Sequence, residues 1–389
     1  MYSATALKRL PLLALAAVAI VDCGGRRVAS PPLFPLSPAW KAVLPDFILP
    51  PLAADSRRAF VATRDGAVQA LDQESGAVLW KADGVSGRLT AGDGTLVVRG
   101  ADGTVWSLHP RSGDVRWKFD SAVPGELPAI IDAGRVLVAG RGLAALDLAS
   151  GTLVWSESSP ADVTAPPVAA GARLLVGEAD GTLRCRDRAT GVSLWTYRAK
   201  GPLVAPPLVD ERRRTLYLGT TDRRIQELSL DRGRAGWRWK VGADIRNPGL
   251  LLEDRVIFAS FDAVLYALHR GGNLAWRAPL PSRPLSGPLL VGNYILVVCL
   301  ENDLVGFARD TGTRAGSLRT SAEIRTPPIL SGRSILVGLR DRSVVAYRMP
   351  GRPAATPERG APDTPPPTEP PATPPHRSPS QVEPPGPDR

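Results

Sequence analysis

The chain has 389 residues, 43% of them hydrophobic and 6% aromatic, and a formal net charge of +10. Three cysteines are too few to imply a disulfide framework, and the three histidines (His109, His269, His376) stand in no metal-ligand spacing. The basic excess comes without the interleaved aromatics or motifs of a nucleic-acid binder, so it reads as a solvated surface with no nucleic-acid partner.

Residues 1–23 read as an export signal. Lys8 and Arg9 form its positive start, and Leu10 to Val21 form an apolar core too short to span a bilayer. The run Ile20-Val21-Asp22-Cys23 is lipobox-like. Its aliphatic residues fit a lipidated Cys23, and Asp22 departs from the small residue such a site takes. Lipidation, cleavage by the ordinary signal peptidase and retention as an uncleaved anchor all stay open. Residues 24–37 are a linker, part of a Pro-rich stretch that encloses the Trp40 strand.

From residue 38 to 349 the chain repeats. Trp80, Trp117, Trp155, Trp195, Trp239 and Trp276 recur at intervals of 37 to 44 residues, most of them ending phrases such as Ala70-Leu-Asp-Gln-Glu-Ser-Gly-Ala-Val-Leu-Trp80. A period near 40 is the signature of an array of small sheets. Before each phrase comes a strand pair, with Asp65-Gly66, Asp102-Gly103 or Asp180-Gly181 at a tight turn that needs positive φ. Pro-marked entries such as Pro166-Pro167 and Pro327-Pro328 precede these pairs, where a missing N–H costs no ladder bond.

Counting the small residue two before the phrase's Asp gives Ala70, Ser107, Ala145, Cys185, Ser229, Ala267, Ala308 and Ala346, eight units of about 39 residues. In this count Leu318 stands where the seventh Trp is expected, and Ala235 replaces the glycine before Trp239. The eighth unit stops at Arg348, short of an outer strand, and Pro38-Ala39-Trp40-Lys41 supplies an outer strand with nothing before it. The expectation is an all-β, eight-bladed β-propeller of four-stranded antiparallel blades, its last blade closed by the N-terminal strand. Trp40, Trp80, Trp117, Trp155, Trp195, Trp239 and Trp276 are expected to form a structural girdle, glycines such as Gly76 giving an indole a bare peptide to lie on.

Residues 350–389 hold 15 prolines and almost nothing apolar, and are expected to be a disordered or polyproline-II tail. The first forty residues carry +3 and the tail −1, leaving +8 on the propeller, with Arg212-Arg213-Arg214 and Arg223-Arg224 grouped in blade five. Cys185 and Cys299 fall in blades four and seven and read as separate buried thiols. His109 and His269 take the Asp position of the phrase, as turn residues. The sequence has no nucleophile elbow and no phosphate loop, and its regularly spaced carboxylates are turn acceptors.

The Asp-Gly hairpins and the Ala-x-Asp-x-x-Ser/Thr-Gly-x-x-x-Trp phrases resemble those of the quinoprotein alcohol dehydrogenase-like, or PQQ-like, propeller family over about 310 residues. That family's dehydrogenases hold PQQ and calcium in the channel, on longer inter-blade excursions and with an adjacent-cysteine disulfide. This chain has neither. Its size and layout are similar to the BamB family of outer-membrane assembly lipoproteins, which implies a scaffold without cofactor that docks on a BamA-like barrel insertase. By that resemblance the partner-binding residues lie in inter-blade loops, here Arg198, Leu203, Asp244 and Arg246. The implied protein is a non-catalytic, monomeric propeller, lipid-attached at Cys23 on the periplasmic side of the outer membrane or free in the periplasm. A propeller binding another envelope protein or a glycan is the alternative, and a PQQ-dependent dehydrogenase a third.

Overall fold

Each Asp-Gly hairpin bends where the sequence places it: Gly66, Gly103 and Gly181 have φ of +85°, +101° and +90°. In the computed structural model, residues 32–350 are described. The expected export signal, Cys23 and the tail from residue 351 lie outside them. The described residues form 32 strands in eight four-stranded antiparallel sheets, and no helix. Seven sheets take four consecutive strands each, which we label A to D from the innermost outward. In the first blade these are Ile48–Ala54, Arg58–Thr63, Ala67–Asp72 and Val78–Asp83.

The eighth sheet is shared between the two ends of the chain. Its strands A to C are Ile329–Ser331, Ser334–Gly338 and Ser343–Arg348, and its outermost strand is Ser37–Val43. The pairing runs Ser37 to Arg348, Trp40 to Ala346 and Val43 to Ser343, with an irregularity between Pro38 and Trp40.

Every inter-blade seam holds its own apolar cluster. Phe60 and Val68 of blade one meet Leu96 and Val98 of blade two, and the series continues around the ring. The closing seam packs Leu336, Val344 and Ala346 against Val61 and Leu71, with Trp40 at its edge. Strands B and C are buried on both faces, which is why they read as nearly continuous apolar runs instead of alternating ones.

The tryptophan girdle bridges neighbouring blades. Each indole lies on the glycine of the following blade, not on the glycine of its own phrase. A Cβ on Gly76 would come 2.5 Å from the Trp40 ring, and one on Gly113 equally close to the Trp80 ring. All of these indoles but Trp155 donate the ring N–H to the carbonyl of the residue after the phrase's Asp position, as in Trp40 to Gln73 (2.7 Å), Trp80 to Pro110 (3.0 Å) and Trp117 to Leu148 (3.0 Å).

Two registers differ from the sequence reading. In blade five the girdle residue is Trp237, which lies on Gly272 and donates to Arg270 O at 2.8 Å, and Trp239 is not part of the girdle. Gly233 accordingly holds the phrase's glycine position and Glu227, not Ser229, the small-residue landmark. In blade seven Gly306 pairs with Gly316, so Gly316 rather than Leu318 stands where an indole belongs. Phe34, from the segment leading into the closing strand, fills that space, its ring against both glycines.

Candidate functional site

Up-and-down strands give the ring two unlike faces. The A–B and C–D turns share one; the B–C hairpins and the longer D–A connections between blades share the other. The C–D turns are held by their acidic residues. Asp72 Oδ1 accepts from the backbone of Glu74 and Ser75 and from the Ser75 hydroxyl, and Asp147 and Asp187 do the same in their blades. These hydrogen bonds hold all three carboxyls below the usual range. His109 Nδ1 plays the part in blade two, accepting from Arg111 N. The carboxylates that recur in the sequence are thus committed to turns.

The connection face carries the four residues expected to bind a partner. Arg198, at the end of strand Ser193–Arg198, is ion-paired with Asp180 and bonded to Thr182 Oγ1 at 3.0 Å, yet its side chain is 64% exposed. Asp244 and Arg246 pair with each other at 2.8 Å, and the Arg246 guanidinium lies 5.7 Å over the Phe261 ring. Leu203 is different: it is 1% exposed, packed in the seam between blades four and five with its Cβ against Gly177. Its side chain presents nothing to a partner, which corrects the sequence reading. An apolar residue five places after strand D recurs as Val163, Leu203, Ile245 and Ile324, all buried. These are plugs that seat each connection, and that offset was visible in the sequence.

The connections are also tied to the next blade's hairpin. Thr221 Oγ1 donates to Pro202 O at 3.0 Å, Phe261 N to Asp244 O at 2.9 Å, and Gly242 N to Asp262 at 2.9 Å. Tyr266 donates to the same Asp262 at 2.7 Å, and burial, with that bond, pushes its hydroxyl up to about 12.

Two buried charges that sequence reasoning missed brace this face. Arg99 replaces the small residue found at Ala62, Ala139 and Gly177, and donates to the Leu127 and Val123 carbonyls at 2.6 Å each. Burial brings it down to about 10. Glu178 is wholly buried and accepts from Arg184 Nε (2.8 Å) and Ser159 Oγ (2.9 Å). The rim is therefore a preformed surface with little ordering left to do on binding.

The channel offers no comparable chemistry. The innermost strands carry the aliphatic pairs Ile130-Ile131, Leu208-Val209, Leu250-Leu251 and Leu289-Leu290, and their charged residues Arg88, Asp132 and Asp210 are paired with Glu126, Arg188 and Arg270. PQQ with its calcium needs cations and several oxygen ligands. These aliphatic strands do not fit it, and no group of three or more His, Cys, Asp or Glu among the described residues could hold a metal. Cys185 and Cys299 are buried and free, with thiols pushed up to about 11 and about 12 by burial. The arginine cluster of blade five is largely spent in ion pairs: Arg214 with Asp231, Arg224 with Asp222 (2.9 Å) and Arg213 with Asp210 (3.8 Å).

The family profile described as "Outer membrane protein assembly factor BamB" matches residues 37–144 and 139–349, the whole of the ring. The chain belongs to the BamB family. Among individual BamB proteins, that of Moranella endobia (strain PCIT) is 23% identical over 307 residues, 72% of this chain and 70% of that one. The BamB of Legionella pneumophila (strain Paris) is 27% identical over 175 residues. That match covers 42% of this chain, and the chain spans only 45% of that relative's length. Among solved structures, BamB from Moraxella catarrhalis superposes with a TM-score of 0.68 at 22% identity, over 81% of this chain and 100% of that one. Quinohemoprotein alcohol dehydrogenase from Comamonas testosteroni reaches 0.66 at 13% identity, over 82% and 78%. At such identities these structures share the fold alone. The BamB structure and the dehydrogenase share one propeller architecture with this chain.

Proposed function

We propose that this propeller is a non-catalytic scaffold of the bacterial envelope, attached by a lipid at Cys23 to the periplasmic side of the outer membrane. There it supports the assembly of outer-membrane β-barrel proteins. Its partner is a BamA-like barrel insertase, met by the connection rim of blades four to six. The observation that carries this reading is the rim itself: Arg198 and Arg246 stand exposed, with Asp244 half-buried beside Arg246, next to connections locked to neighbouring hairpins. Membership of the BamB family supports it.

The test is capture of envelope proteins by the tagged, detergent-solubilised chain. A BamA-like protein should co-purify with the parent and be lost with Arg198→Glu and Arg246→Glu, since a few arginine and aromatic anchors carry most of such an interface. Capture of a different envelope protein or a glycan, indifferent to both changes, would point to another binding role. Stoichiometric uptake of PQQ with calcium would overturn the scaffold reading. Release of a Cys23→Ser variant from the membrane fraction tests the anchor separately.

A further inference from the structure

Blade eight is the one blade without a C–D turn, because its strand D comes from the other end of the chain. Where the other blades set a turn acceptor such as Asp72 or Asp147, blade eight has Arg348, paired in register with Ser37. The missing turn leaves a cleft of about 720 Å³ between blades eight and one, on the face opposite the connection rim. Four arginines line it: Arg57, Arg58, Arg333 and Arg348. Arg58 is paired with Asp55 at 2.8 Å, and Arg333 donates one Nη to Pro350 O at 3.1 Å. The guanidiniums of Arg57 and Arg348 make no hydrogen bond or close ion pair among the described residues, and Arg57 acts on the Asp72 carboxylate only through its charge. Asp72 and Glu74 also reach the cleft, but Asp72 is spent on its turn. Leu79, half exposed, lies at the edge beside the exposed Val78.

We propose that this cleft seats the phosphate headgroups of an anionic phospholipid surface. Guanidinium forks match phosphate oxygens two at a time, and unpaired arginines beside exposed aliphatic side chains form the mixed edge that a bilayer interface accepts. The position of the chain agrees. Ser37 enters at this end of blade eight, fourteen residues after Cys23, so a lipid on that cysteine would hold the cleft within about 50 Å of the bilayer. The tether argument rests on the proposed anchoring; the arginine geometry does not.

The experiment uses the full mature chain carrying Cys23→Ser, which removes the anchor from the measurement. Co-sedimentation is measured with phosphatidylcholine vesicles and with vesicles containing phosphatidylglycerol. Binding is expected to the anionic vesicles only and to fall as salt rises. The double reversal Arg57→Glu/Arg348→Glu should weaken it by about tenfold or more. The equal charge change Arg141→Glu/Arg283→Glu, on the opposite face, should leave it intact. Equal binding to both vesicles, no binding, or the same loss from either double variant would overturn the proposal. Calorimetric binding of free glycerol phosphate without vesicle binding would do so too, in favour of a soluble phosphate site. Thermal melts show whether each variant is folded, and Arg57→Gln/Arg348→Gln serves if a reversal is not. A failure here leaves capture of a BamA-like partner untouched.

Discussion

Trp155 lies on Gly191 like the other girdle residues, yet its indole N–H has no acceptor. The carbonyl that should receive it, Arg188 O, takes the Arg135 guanidinium instead, at 3.0 Å. Trp117, one blade earlier, keeps its bond to Leu148 O. Trp117→Phe therefore loses a hydrogen bond that Trp155→Phe does not, and should cost about 1 kcal/mol more in denaturant unfolding. Equal costs would mean that Trp155 finds a partner in solution. The turn carboxylates give a second expectation. Asp72, Asp147 and Asp187 have folded pKa values below the unfolded value near 3.8. Their contribution is fully present above that value and is lost as pH falls through the folded ones. Melting temperature should drop along that acid limb. Asn at all three positions keeps an acceptor for the turn and should flatten this part of the drop; an unchanged slope would assign acid sensitivity to other groups.

The strands and turns were largely legible before the structure, because most blades repeat one physical solution: a hairpin turn with a residue at positive φ, two doubly buried strands, a capped turn and an aromatic outer strand. Two blades were misread for a definite reason. In Trp237-Arg238-Trp239 both indoles suit a period near 40, and only the distance from Gly233 chooses between them. Blade seven lost its tryptophan altogether, and Phe34, some 280 residues away, replaces it through a contact no local pattern encodes. Leu203 was misjudged because an apolar residue in a loop looks exposed on paper; the same offset at Val163, Ile245 and Ile324 marks it as a plug, and the facing Gly177 is the socket that receives it. Arg99 was missed because its partners are backbone carbonyls, and Glu178 because its arginine, six residues on across a hairpin, reads as one more surface charge. The two thiols sit inside these strands. With values near 11 and 12, they should resist iodoacetamide at pH 8 in the folded protein and react fully in denaturant. Fast labelling of the native chain would show that blade four or seven opens locally.

The ring as a whole depends on one strand. Trp40 packs over the seam between blades eight and one, lies on Gly76 and is hydrogen-bonded to Gln73 O. Trp40→Ala should cost about as much as Trp80→Ala, roughly 3–5 kcal/mol of unfolding free energy. A loss below about 1 kcal/mol would mean that the other seven seams hold the ring unaided.

That strand has an unusual place in time. The ribosome makes Ser37–Val43 before any blade exists and Ser343–Arg348 after all the others, so the first strand synthesised waits longest for its partner. Blades one to seven can each form from continuous chain as it emerges, whereas blade eight can form only when residues 320–348 have arrived. Throughout that wait the chain carries an unpaired edge at each growing boundary, the species most open to wrong pairing. Lys41 and Pro38, on the waiting strand, are residue types that discourage sheet addition by strangers, and Lys41 finds Asp341 only at the end. A nascent chain stalled after blade seven would be folded almost everywhere and still lack the latch.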